Sequence, residues 1–217
     1  MLLGLNLPEH QQYRGWWLAD VAEAMGKHWT ETAMDLVLAE RQRVSTMYFL
    51  MSEENVAMQI AQPWIKFGTD AGGIDPTSAT GLAHPRAYGT FTRVLGKYVR
   101  EEGVVPLEDA VRKMSSAVAT RLKIRDRGFL LEGYYADVVV FDPETVIDHA
   151  TYDEPHQLST GVEHVLVNGV PVVAGGVHTG ARQGPIVGAR SAGSHYRPSR
   201  REPSTVAMMA RRGSSSA

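Results

Sequence analysis

Apolar positions in the first part of the chain recur at helical spacing. Between residues 16 and 41 they fall into two groups. Trp17, Leu18, Val21, Ala22 and Met25 form one face, ended by Gly26. Thr30 can cap a second helix with Ala33, Met34, Val37 and Leu38 on its apolar side. Val44–Met51 is an apolar run of strand length. Ser52 then offers a cap for a helix over Glu53–Ile60, whose two leading glutamates suit the positive end of a helix dipole, and Pro63 stops it. Trp64–Thr69 reads as a further strand that ends on Asp70 and opens into the turn Ala71-Gly72-Gly73. Strand, helix and strand over Val44–Thr69 predict one βαβ unit with parallel strands.

Ala71–Gly89 is rich in Gly, Thr, Ser and Pro, and its length predicts a functional loop or lid. Phe91–Glu101 reads as a short helix. A second starts at Pro106, with Glu108 and Asp109 in its first turn and Leu107, Ala110, Val111, Met114, Ala117, Val118 and Leu122 on one face. From Arg127 the period changes from helical to β. Gly128–Gly133 and Ala136–Phe141 read as strands. Val162–Val167 and Val170–Ala174 flank Asn168-Gly169, the strongest short-range hairpin signal, because both turn residues tolerate positive φ. The last stretch, 191–217, combines Ser, Gly, Pro and five arginines with few apolar residues and reads as a disordered basic tail.

Composition narrows the class. At 217 residues and 43% hydrophobic content, the chain can bury a sizeable core. A net charge of -2 gives no electrostatic reason to expect nucleic acid or an anionic membrane as partner. No window approaches the roughly 20 apolar residues a membrane span needs. The absence of cysteine excludes disulfides and thiolate ligands within the chain. The opening Met1–Leu7 lacks a basic region and is a poor signal peptide. These features predict a cytoplasmic protein.

Several motifs together resemble the N-acyl-D-amino-acid deacylases (D-aminoacylases) of the amidohydrolase superfamily. They begin with Gly68-Thr69-Asp70, then His84-Pro85-Arg86-Ala87-Tyr88-Gly89-Thr90-Phe91, then Leu107–Met114 and Arg127-Gly128. They continue through Ala136-Asp137-Val138-Val139-Val140-Phe141-Asp142 and Gly161-Val162-Glu163-His164-Val165-Leu166-Val167-Asn168-Gly169. The resemblance covers residues 13–189. It implies an α/β fold: the C-terminal portion of a (β/α)8 metal-dependent hydrolase barrel over 1–126, followed by a small β-sandwich-like domain over 127–190. It implies zinc-dependent hydrolysis of an N-acyl-D-amino acid to a carboxylate and a free D-amino acid. In that chemistry zinc acidifies a bound water and polarises the acyl carbonyl.

By motif match, Asp70 is the aspartate that takes the water's proton and returns it to the leaving amine, and it is also a candidate metal ligand. Arg86 and His84 are candidate substrate-binding residues. Guanidinium geometry suits a substrate carboxylate, and the alternative is that both anchor the loop.

The family's His-x-His pair and its cysteine ligand have no counterpart among residues 1–217. A catalytic zinc typically takes three protein ligands and an open position. The expectation is therefore a C-terminal portion that is inactive alone and depends on an N-terminal half for its metal. The alternative is a non-catalytic remnant or a subunit of a split amidohydrolase.

Overall fold

The structure, a computed structural model, describes residues 1–183 and 208–210. The predicted tail lies outside the described residues, apart from a short strand at Met208–Ala210. The chain divides into two compact units that do not follow its linear order. The first holds Met1–Ser52, Asp70–Tyr88 and His149–Leu158; the second holds Glu53–Thr69, Gly89–Asp148 and Ser159–Ala217. No helix of the described residues is long and apolar enough to cross a membrane.

In the first unit, β1 (Leu2–Gly4) pairs antiparallel with β2 (Ser45–Thr46), in register Leu2 to Thr46. Between them run a 3-10 helix at Pro8–Tyr13, α1 (Leu18–Ala24) and α2 (Trp29–Glu40). Leu2, Leu5, Val21 and Leu36 are buried together, with Tyr13, Leu18, Met25 and Val44 packed around them. α1 ends at Gly26, as its sequence predicts. Gly26 takes φ 63°, its N–H donates to the Glu23 carbonyl, and the Lys27 N–H reaches back to Ala22. This paired Schellman arrangement satisfies carbonyls that the helix leaves open.

α2 departs from expectation twice. His28, not Thr30, occupies the N-cap position. The face that packs inward is Thr32, Leu36 and Glu40, whereas Met34, Val37 and Leu38 are 58%, 51% and 73% exposed. The inward face is set by a buried carboxylate. Glu40 accepts hydrogen bonds from the backbone N–H of Asn6 (2.7 Å) and Leu7 (3.3 Å), and its Oε1 lies 2.8 Å from His10 Nδ1. Burial by itself raises the carboxyl pKa, but these donors outweigh it and hold the group below its ordinary 4.5.

The folded pKa is thus depressed. The stability this group contributes is present above the unfolded value and is lost as pH falls through the folded one. Urea midpoints measured from pH 6 down to pH 3 should drop for the wild type. For Glu40→Gln the curve should be flatter over the same window, from a lower starting stability. Parallel curves would remove Glu40 as the source of acid sensitivity.

Two expected strands are corrected. Of the run Val44–Met51, only Ser45–Thr46 is a strand, and its partner is the antiparallel β1 rather than a parallel neighbour. Trp64–Thr69 is extended but belongs to no strand. A strand exists through its partner's hydrogen bonds, and none of the described residues lies alongside this run to complete a ladder. Phe67 still packs on the Ile60 cluster, which holds the segment locally.

The second unit has α3 (Glu53–Ala61) and π-helical turns at Val94–Glu101, followed by α5 (Leu107–Met114) and α6 (Ser116–Arg121). α4 (Arg86–Arg93) leads directly into the π-helical turns. Ile60, Val94, Tyr98, Val105 and Ala110 are buried as one cluster, and Leu95, Phe141 and Val146 as another. The predicted helix from Pro106 is broken at Ser115, whose φ -126° and ψ -88° leave the helical region.

β3 (Val138–Phe141), β4 (Val162–Val167), β5 (Val170–Ala174) and β6 (Val177–His178), together with β7 (Met208–Ala210), form one sheet in the order β6-β5-β4-β3-β7. Among the described residues these strands make one sheet, and no second sheet packs on it there. The Asn168-Gly169 hairpin forms with φ 52° and 79° and pairs Val167 with Val170. Arg127 braces it. Its Nη2 donates to Asn168 Oδ1 at 2.6 Å, and its guanidinium lies 4.2 Å from the Tyr135 ring centroid. Gly128–Gly133 is turn and coil, not the strand expected.

Candidate active site

Asp70 sits at φ 47°, in the left-handed region that aspartate tolerates better than most residues. Its side chain is 87% exposed, and its Oδ2 lies 2.9 Å from Arg86 Nη2. Ala71–Pro85 therefore returns the chain to within an ion pair of where it left. An exposed pair of this kind contributes little to stability and opens readily in water. The Arg86 guanidinium carries further donors in a planar fork suited to a carboxylate.

Arg86 is also where α4 begins, five residues before the helix start expected at Phe91. His84 and Pro85 explain the earlier start. The His84 carbonyl accepts from the Ala87 N–H and the Pro85 carbonyl from the Tyr88 N–H, both at 3.0 Å. His84 Nδ1 accepts the Arg86 N–H at 3.1 Å. Burial first, and then the Arg86 charge, lower the His84 pKa, which favours the neutral ring that can accept. In this arrangement His84 ties down the loop and fixes the base of the Arg86 side chain. Asp75 caps the turn inside the loop, accepting from the Thr77 N–H at 2.9 Å and from its hydroxyl at 2.7 Å.

The structure thus brings Asp70 and Arg86 together and places His84 beside the Arg86 backbone. It adds residues that sequence reasoning passed over. Tyr152 stacks edge-on against His84 with centroids 5.6 Å apart, and His156 bonds Tyr88. Both come from a segment far along the chain: Tyr152 lies in the stretch Ala150-Thr151-Tyr152, which shares in the resemblance but carried no site role, and His156 has no motif signal.

Among the described residues, no group of three His, Asp or Glu side chains converges in a way that would hold a metal. Asp70 offers a single carboxylate whose partner is a cation, and His84 Nδ1 is already occupied. This donor set does not fit a catalytic zinc.

The chain belongs to the amidohydrolase family, whose model matches residues 30–173. Within that family it is similar to a D-aminoacylase of Alcaligenes xylosoxydans xylosoxydans, at 38% identity over 79% of this chain and 36% of the relative. A crystal structure of D-aminoacylase matches with a TM-score of 0.74 and 35% identity, covering 86% of this chain and 37% of that one. The N-acyl-D-glutamate deacylase of Bordetella bronchiseptica, solved with zinc and a phosphonate mimic of the tetrahedral intermediate, matches with a TM-score of 0.68 and 40% identity. That match covers 86% of this chain and 35% of the deacylase. The chain therefore spans about a third of the length of the relatives it matches, and its α/β fold is that of an amidohydrolase domain.

Proposed function

We propose that this chain supplies the proton-transfer and substrate-carboxylate groups of a zinc-dependent N-acyl-D-amino-acid deacylase. In this reading it forms the last part of the hydrolase's (β/α)8 barrel, with residues 127–190 as a small β domain and a cytoplasmic setting. The observation that carries the proposal is the Asp70–Arg86 pair at 2.9 Å. It joins two residues that the motifs single out independently, one of them at a positive φ of the kind that collects at functional sites. Asp70 accepts a proton from the attacking water and delivers it to the departing amine. Arg86 leaves Asp70 to grip the substrate's carboxylate with two parallel hydrogen bonds. His84 keeps Arg86 aimed.

The zinc ligands beyond Asp70 must come from residues other than those described, and a polypeptide carrying the remaining barrel strands is the partner this reading requires. Two facts support it. The match covers only about a third of each relative. Large apolar side chains stand uncovered among the described residues, with Leu38, Tyr48 and Leu50 73%, 75% and 84% exposed. The acyl group and side chain stay open between neutral, D-glutamyl and D-aspartyl substrates.

The test is an assay of N-acetyl-D-amino acids, with the L-enantiomers as control, for the 217-residue chain alone and mixed with the complementary part of a relative. Turnover of the D-form by the mixture only is expected. No turnover in either arm would favour the second reading, a non-catalytic subunit or remnant. The lack of a metal-holding group among the described residues is the observation behind that alternative. Stoichiometric zinc in the isolated chain would contradict both readings.

A further inference from the structure

The loop that carries Arg86 is gripped from one side by the segment His149–Leu158, within the same compact unit. His156, half-buried, places Nε2 2.7 Å from the Gly81 carbonyl and Nδ1 2.9 Å from the Tyr88 hydroxyl. A carbonyl can only accept, so the proton of the neutral ring resides on Nε2, and Nδ1 is left to accept from the Tyr88 O–H. Tyr88 is held as a donor: burial first, and then the charge of Asp75, raise its pKa. The Tyr88 and His156 rings meet edge-on, at 89° and 5.7 Å. Tyr152, four residues earlier, packs on His84. One imidazole therefore bridges both ends of the arm Gly81–Tyr88, and the arm contains His84 and Arg86. The Asp70–Arg86 ion pair alone would hold that arm only weakly, since the Asp70 side chain stands largely in water and the Arg86 side chain is 43% exposed.

We propose that His156 is a positioning residue: its Nε2–H tautomer clamps Gly81 to Tyr88 and so fixes the Arg86 arm against Asp70. The clamp governs how well the substrate carboxylate is held, while the proton transfer at Asp70 proceeds independently of it. This consequence rests on Arg86 being the carboxylate-binding group.

The clamp is tested without catalysis in the full 217-residue chain. Nitrogen-15 spectra of the neutral His156 ring should show a protonated Nε2 and a bare Nδ1. His156→Lys keeps an N–H donor for Gly81 but has no acceptor for Tyr88, and Tyr88→Phe deletes the same bond from the other side. The reporter is the Leu82 amide, which donates to the Leu3 carbonyl at 3.2 Å. Each variant should speed its hydrogen exchange by roughly five- to tenfold, the effect of losing one hydrogen bond. The double variant should exchange no faster than either single one. An Nδ1–H tautomer, unchanged exchange, or additive effects would overturn the clamp.

In the complemented enzyme, Tyr88→Phe should raise KM by a similar factor with kcat nearly constant. A fall in kcat at unchanged KM would overturn the positioning role. If exchange and tautomer come out as expected but Arg86→Ala leaves KM unmoved, the reading of Arg86 fails while the clamp stands.

Discussion

Asp70→Asn in a complemented, metal-loaded enzyme is expected to lower kcat by roughly a hundred- to ten-thousand-fold, the range a positioned general base contributes. Asparagine has the same shape, and its carbonyl can still accept from Arg86. What it cannot do is take up a proton. The side chain is 87% exposed and packs against nothing that its replacement would disturb. Stability should therefore stay within about 0.5 kcal/mol, as for other surface changes. Zinc content, measured on the same sample, should not change. The combination is diagnostic. Loss of turnover with zinc retained assigns proton transfer, and loss of both assigns a metal-ligand role. Retained turnover would sink the general-base role.

Lys113→Met should produce the largest loss of stability. Lys113 is fully buried, an unusual place for an ammonium group. Its Nζ donates to the Ile60 carbonyl at 2.7 Å and lies 3.1 Å from Asp109 Oδ2. Ile60 is next to the last residue of α3, where carbonyls lack a partner within the helix and the dipole is negative. The charge is thus used to close a helix end inside the core.

Methionine fills nearly the same volume, so the cavity contribution is small. Asp109 keeps Arg112 at 2.7 Å and remains partly in water. The group left stranded is the buried carbonyl, at a cost of about 2 kcal/mol and more if the helix end frays. The urea midpoint of the full chain should fall with an unchanged slope. An unmoved midpoint would show that water replaces the ammonium without loss.

Much of the fold could be read from short-range signals. The α3 start at Ser52-Glu53, the Schellman end of α1 and the Asn168-Gly169 turn each depend on a few adjacent residues, and each formed. The misreadings share a cause of the opposite kind. Periodicity identified Met34, Val37 and Leu38 as an apolar face, but which side of α2 packs inward depends on donors from Asn6, Leu7 and His10 that meet Glu40 only in the fold. Trp64–Thr69 has strand composition, but the composition of a segment does not supply its neighbour.

The candidate site divides along the same line. Asp70, His84 and Arg86 stood out through motif spacing, and the structure brings Asp70 to Arg86. His156 had no local signal, because its bonds to Gly81 and Tyr88 close across a long stretch of chain.

The exposed apolar residues of α2 and of Tyr48–Met51 also bear on how the isolated chain behaves in solution. A formal net charge of -2 gives copies of the chain little mutual repulsion. Apolar surface left uncovered among the described residues gives them something to gain by meeting. Association of folded copies shifts unfolding by mass action. A melting temperature recorded on the isolated chain is therefore a joint property of its sequence and its concentration, and values from dilute and concentrated samples describe different species.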